Sequence, residues 1–175
     1  MPTTPPTVSR PLAILPSIVL GGALVALASL SACGDDTSAP PQPTFQAALN
    51  AASERPTSLT LPGTGSATVV RNGTTFTYTV SYANLSGAPI LSHIHGPADA
   101  SKAVGVLVNF NIGTPTSGTG SFTGTFTPAD IVPASGQPAI SMDSLVKLMT
   151  TGNAYVNVHT STNKGGEIRG QLTLK

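Results

Sequence analysis

The chain has 175 residues, of which only 9% are charged, and 8 Lys and Arg against 7 Asp and Glu leave a formal net charge of +1. With no basic run and no acidic tail, that balance excludes an electrostatic footprint for nucleic acid. A single cysteine, Cys33, excludes an intramolecular disulfide framework, so the fold must rest on packing and backbone pairing.

In chain order, the first element reads as an address. Arg10 is the only basic residue before an apolar segment, densest from Ile18 to Leu30, that ends in Leu30-Ser31-Ala32-Cys33. A basic start, a short apolar core and small residues before a cut site describe a secretory signal over residues 1–32. Leu30-Ser31-Ala32-Cys33 resembles a bacterial lipobox, whose cysteine is lipidated and becomes the first residue of the mature protein. Acyl chains on Cys33 are then expected to hold the protein on a membrane. The alternative is an uncleaved transmembrane anchor with an incidental cysteine. Both place the rest of the chain outside the cytoplasm, at the cell envelope. Residues 33–44, rich in Pro, Ser and Asp, read as the lipidated cysteine followed by an extended tether.

Residues 45–175 are one domain's worth of chain. Abundant Gly, Thr, Ser and Pro with few charges favour an all-β domain with many tight turns. Strands are expected at 45–50, 66–71, 74–82, 90–95, 104–110, 120–127, 154–160 and 167–174. The strongest local signal is the hairpin around Asn72-Gly73, a pair suited to a type I′ turn. After it, Phe76, Tyr78, Val80 and Tyr82 alternate with Thr and Ser, the pattern of a strand buried on one face. One short helix is expected at 142–151. Ser141 would cap it, Asp143 suits its first turn, Gly152 would stop it, and Met142, Leu145, Leu148 and Met149 would form its apolar stripe. Seven or eight short strands and one helix suggest a Greek-key sandwich or flattened barrel.

All 3 histidines of the chain fall in two of these strands. Residues two apart on a strand share a face and lie roughly 6.5–7 Å apart, so His93 and His95 can aim at one point. On the later strand, Tyr155, Asn157 and His159 share a face opposite Val156 and Val158. The small β-branched set reads as the core side, which leaves the histidines on a more polar face, partly open to solvent. Three neutral imidazoles suit Cu(II), Zn(II) or Ni(II), with copper bound most tightly and zinc less so. Asn157 and Ser92 are candidates to orient the rings, and Glu167 is a candidate carboxylate. The plainer alternatives are rings that donate to backbone carbonyls of neighbouring loops, and an exposed Glu167–Arg169 neighbour pair. Glu54 and Asp99 read as single acids, solvated or capping. No nucleophile or phosphate-loop motif is present. The expected function is therefore a non-catalytic binding or structural module, with a copper-binding protein as the alternative.

Three blocks of sequence resemble the CHRD domain, first described in chordin and common in bacterial secreted proteins. They are Phe45-Gln46-Ala47-Ala48-Leu49-Asn50 with Glu54-Arg55-Pro56, then Ser92-His93-Ile94-His95-Gly96-Pro97-Ala98, then Tyr155-Val156-Asn157-Val158-His159-Thr160 followed by Gly165-Gly166-Glu167-Ile168-Arg169-Gly170-Gln171-Leu172. Family members often carry Glu-Val-Pro where this chain has Glu54-Arg55-Pro56. The resemblance spans 45–175 and implies a β-rich extracytoplasmic domain. A weaker resemblance is to the copper/zinc superoxide dismutases, in which His93, His95 and His159 would match three copper histidines in order and strand context. The bridging histidine, the zinc ligands and the disulfide cysteines have no counterpart, so a superoxide dismutase-like enzyme is only a remote alternative.

Overall fold

The computed structural model describes residues 42–133 and 138–175. The expected signal segment, Cys33 and all of the tether up to residue 41 lie outside the described residues. Nine strands and one helix follow in order: β1 (Thr44–Asn50), β2 (Thr64–Asn72), β3 (Thr75–Ala83), β4 (Pro89–His95), β5 (Val106–Asn109), β6 (Gly120–Phe126), α1 (Met142–Thr150), β7 (Tyr155–Thr160), β8 (Ile168–Gln171) and β9 (Thr173–Leu174). They form one antiparallel sheet in the order β5-β4-β7-β8-β1-β2-β3-β6, with β9 also on β1. The seam between the outer strands is partly sealed by a bridge from Val108 to Ile131 and by Val132 N–H donating to Leu107 C=O at 2.9 Å. The result is a nearly closed barrel, the flattened-barrel form of the expected all-β fold.

The alternation in β3 builds the core directly. Phe76, Tyr78, Val80 and Tyr82 are all buried, facing Phe45 and Leu49 of β1, Val69 of β2, and Val156 and Val158 of β7. Tyr78 stacks on Phe110 with ring centroids 4.0 Å apart, and Phe76 on Phe126 at 4.9 Å. Stacked aromatics of this kind add to the area term that stabilises the interior.

The first hairpin differs from expectation in one detail. Asn72 pairs with Thr75, so the two central residues are Gly73 and Thr74, and only Gly73 has positive φ, 63°. Gly at the first central position with the sole positive φ is the type II′ pattern, not type I′. The expected strand 167–174 is split at Leu172. That residue is fully buried and its N–H donates to Ala154 C=O at 2.8 Å, after which the chain leaves β7 and pairs with Phe45 and Gln46 of β1.

Helix α1 begins as the sequence predicts. Ser141 accepts from Ser144 N–H at 3.2 Å, Leu145 and Met149 are fully buried, and Gly152 leaves the helix at φ 69°. Because this cap satisfies one of the helix's orphan N–H groups, Ser141→Ala is expected to cost about 1 kcal/mol in urea denaturation.

Candidate metal centre

Strands β4 and β7 are antiparallel neighbours in which His93 pairs with Asn157, His95 with Tyr155 and Leu91 with His159. This register sets His159 diagonally across from His93, within reach of a long side chain. Alternation turns Ile94, Val156 and Val158 into the barrel and the three histidines outward. The outward face is not open, however. His93, His95 and His159 are 7%, 8% and 6% exposed, which corrects the expectation of a partly solvated face. The sequence pattern distinguished two faces correctly, but loops fold over the outer one and make a second, polar interior.

Those loops fix the rings. His95 Nδ1 lies 2.9 Å from the carbonyl of Val104, and His159 Nδ1 lies 2.9 Å from the carbonyl of Lys164. A carbonyl only accepts, so each Nδ1 carries the proton and each Nε2 presents a lone pair. His159 Nε2 faces His93 Nδ1 at 3.1 Å, while the buried Nε2 of His95 has no partner. The three candidate ligand atoms lie within 4.8 Å of one another.

These facts fit a transition-metal ion. Two nitrogens on a metal at about 2.0–2.1 Å sit roughly 3 Å apart, close to the His93–His159 spacing. The wider separations in the cluster must contract, since two such bonds span at most about 4.2 Å. The His93 Nδ1 proton must also leave that nitrogen. Nδ1–H donation to a backbone carbonyl is the usual way a metal-binding imidazole is oriented. Backbone carbonyls thus do the orienting expected of Ser92 and Asn157. Ser92 donates instead to Asn157 C=O at 2.8 Å, and the Asn157 amide donates to Glu54 Oε2 at 3.0 Å.

The electrostatics keep the cluster neutral. Burial, then the neighbouring charges of His159 and His95, push His93 down to about 4. Burial also takes His95 to about 4, against the pull of the Val104 carbonyl. His159 is lowered by burial as well. Neutral imidazole is the form that ligates.

Around the cluster lie residues that the sequence reading undervalued. Glu167 and Arg169 were expected as an exposed pair, yet they are 0% and 1% exposed and have separate partners. Glu167 accepts from Ser86 N–H and the Thr160 hydroxyl, both at 2.6 Å, and from Asn163 Nδ2 at 2.8 Å. Burial pushes its carboxyl up, but these donors outweigh burial and hold it below the usual range. Glu167 is not part of the histidine cluster. Arg169 lies 3.4 Å over the Tyr155 ring, whose other neighbour His95 stacks at 4.8 Å. Glu54, expected to be solvated or capping, is 3% exposed. Asp99 does behave as a turn acid, accepting from Ser101 N–H at 2.8 Å. No spacing rule marks Glu54 or Arg169 as buried, because what buries them is loop packing from distant parts of the chain.

A family model described as the CHRD domain matches residues 45–172, a stretch that contains the three histidines, Glu54 and Arg169. No curated protein matches the chain.

Proposed function

The chain belongs to the CHRD-domain family, and from that premise we propose that its barrel is a non-catalytic module that binds a copper ion through His93, His95 and His159. The family points to a binding or structural module. The observation that carries the metal reading is the unpartnered, buried Nε2 of His95 beside the lone pair of His159, in a cluster whose ligand atoms lie within 4.8 Å. A buried acceptor without a donor costs about 1–3 kcal/mol, and a metal ion removes that cost. Cu(II) outranks Zn(II) on a three-imidazole set by the general order of affinities. Attachment through lipidated Cys33 would place the module on a membrane of the cell envelope, where it would hold or hand on metal outside the cytoplasm.

Calorimetric titration of Cu(II) and Zn(II) into the protein tests the reading. His93→Ala and His159→Ala are each expected to weaken copper binding at least tenfold, and by similar factors, because the two residues sit on different strands of one site. Unchanged affinity in either variant would break the single-site assignment.

A further inference from the structure

Arg169 is the largest of the fully buried side chains, at 1% exposure, yet it has no carboxylate partner. Among the described residues the one ion pair within 4.0 Å is Arg71–Asp143. Burial works against the charge of Arg169 first, Tyr155 and Glu54 support it, and a second cation, Arg55, opposes it. The two arginines line a cavity of about 50 Å3 together with Ser53, Ala100, Gly170 and Gln171. That is room for more than one water and for little beyond a single oxyanion group.

The hydrogen-bond inventory of this cavity is one-sided. Arg169 uses Nη2 on the carbonyl of Asp99 and on Gln171 Oε1, both at 3.1 Å. Arg55 uses Nη1 on the carbonyls of Ala52 at 3.2 Å and Glu54 at 2.6 Å. The Nε and the other Nη of each guanidinium have no acceptor among the described residues. Ser53 and Gln171 already donate elsewhere, to Asn50 Oδ1 and to the carbonyls of Ala98 and Gly152. Two nearby acids compensate the pair only in part and form no ion pair with it. Asp99 is turned to Ser101, and burial raises Glu54 to about 7, so that it is only about half ionised at neutral pH. Glu54 and Asp99 favour the charge on Arg169 from nearby, but neither carboxylate bonds to a guanidinium, so the spare N–H groups of the pair lack an anionic acceptor. Paired guanidiniums are also the donor geometry that recognises oxyanions.

We propose that the cavity between Arg55 and Arg169 is an anion site that takes one free oxyanion of phosphate or sulfate size, held by the remaining N–H groups of the two guanidiniums. The site is separate from the histidine cluster and stands whether or not that cluster holds metal.

Thermal unfolding of chelator-treated, metal-free protein tests it. Phosphate or sulfate at about 10 mM, tenfold over a millimolar Kd, is expected to raise Tm by about 3 °C beyond sodium chloride of matched ionic strength. Arg55 is half-buried in a loop, so Arg55→Gln keeps the fold, and it is expected to bind phosphate about tenfold more weakly and to lose most of that rise. Arg169→Gln, if folded by circular dichroism, should lose it too. No rise beyond chloride, or the same rise in Arg55→Gln, would overturn the proposal. Glycerol phosphate is expected to give no rise, since its organic body exceeds the cavity; a rise equal to that from inorganic phosphate would overturn the free-ion assignment.

Discussion

Glu54→Gln is expected to make the protein more stable at pH 8, by up to about 3 kcal/mol in urea denaturation, and to change little at pH 4.5. Glu54 is 3% exposed, and its Oε1 and the Oδ1 of Asn157 are both buried without a hydrogen-bond partner. The pair is linked on one side only, by Asn157 Nδ2 donating to Glu54 Oε2 at 3.0 Å. Burial raises the carboxyl from 4.5 to about 7, and the hydrogen bond from Asn157 with the charges of Arg169 and Arg55 offsets only part of this. A folded pKa above the unfolded one means that the folded state holds the proton more tightly. The contribution of Glu54 is therefore intact below pH 4.5 and lost as pH rises through 7. At 1.36 kcal/mol per pH unit, the gap between 4.5 and about 7 corresponds to about 3 kcal/mol. Glutamine cannot ionise. Its Nε2 can donate to Asn157 Oδ1 while its Oε1 accepts from Asn157 Nδ2, closing the pair on both sides. A gain of the same size at pH 4.5 would show that ionisation is not the cause, and a loss at pH 8 would show that the carboxylate is needed there.

The contrast between Glu54 and β3 shows what the sequence can reveal. Phe76, Tyr78, Val80 and Tyr82 carry their burial in a period of two, a local property that survives any arrangement of the other strands. The hairpin, the cap on α1 and both histidine strands are legible for the same reason. The pairing of β4 with β7 is not local: 59 residues separate His95 from Tyr155, its register partner, and no periodicity specifies that partnership. Once that pairing is known, the distance between His93 and His159 follows from strand geometry. The loops are further from reach. The segments around Ala51–Ser53, Val104 and Lys164 bury Glu54, the histidines and Arg169 by folding back over the outer face of β4, β7 and β8. Their composition, rich in Gly, Ser, Thr and Pro, reads as ordinary surface. Hence a face read as half-polar and open is in fact a closed polar interior, and Glu167 and Arg169, read as a solvated pair, have separate buried roles.

Acidification is expected to destabilise the protein across the window from pH 6.5 down to 4, and Glu54→Gln should deepen the loss. His93 and His95 fall from 6.5 to about 4 on folding, chiefly through burial. Because the unfolded chain binds protons first, stability is complete above pH 6.5 and declines as pH falls toward 4. Each histidine accounts for about 3 kcal/mol over that interval, and His159, lowered in the same direction, adds to it. Glu54 opposes them, since it regains about 3 kcal/mol as it protonates. The wild-type protein should therefore lose about 3 kcal/mol less than the Glu54→Gln variant over this window. Unfolding free energies at pH 7, 5.5 and 4 measure both curves, and a flat curve for the variant would contradict the neutral, buried state of the histidines. The same state sets the pH dependence of metal binding. A solvated histidine site loses ligands to protons below about pH 6.5, whereas this cluster stays unprotonated until much lower. Copper affinity is therefore expected to hold nearly constant from pH 7 to about 5.5 and to fall as pH approaches 4, where the folded imidazoles take up protons.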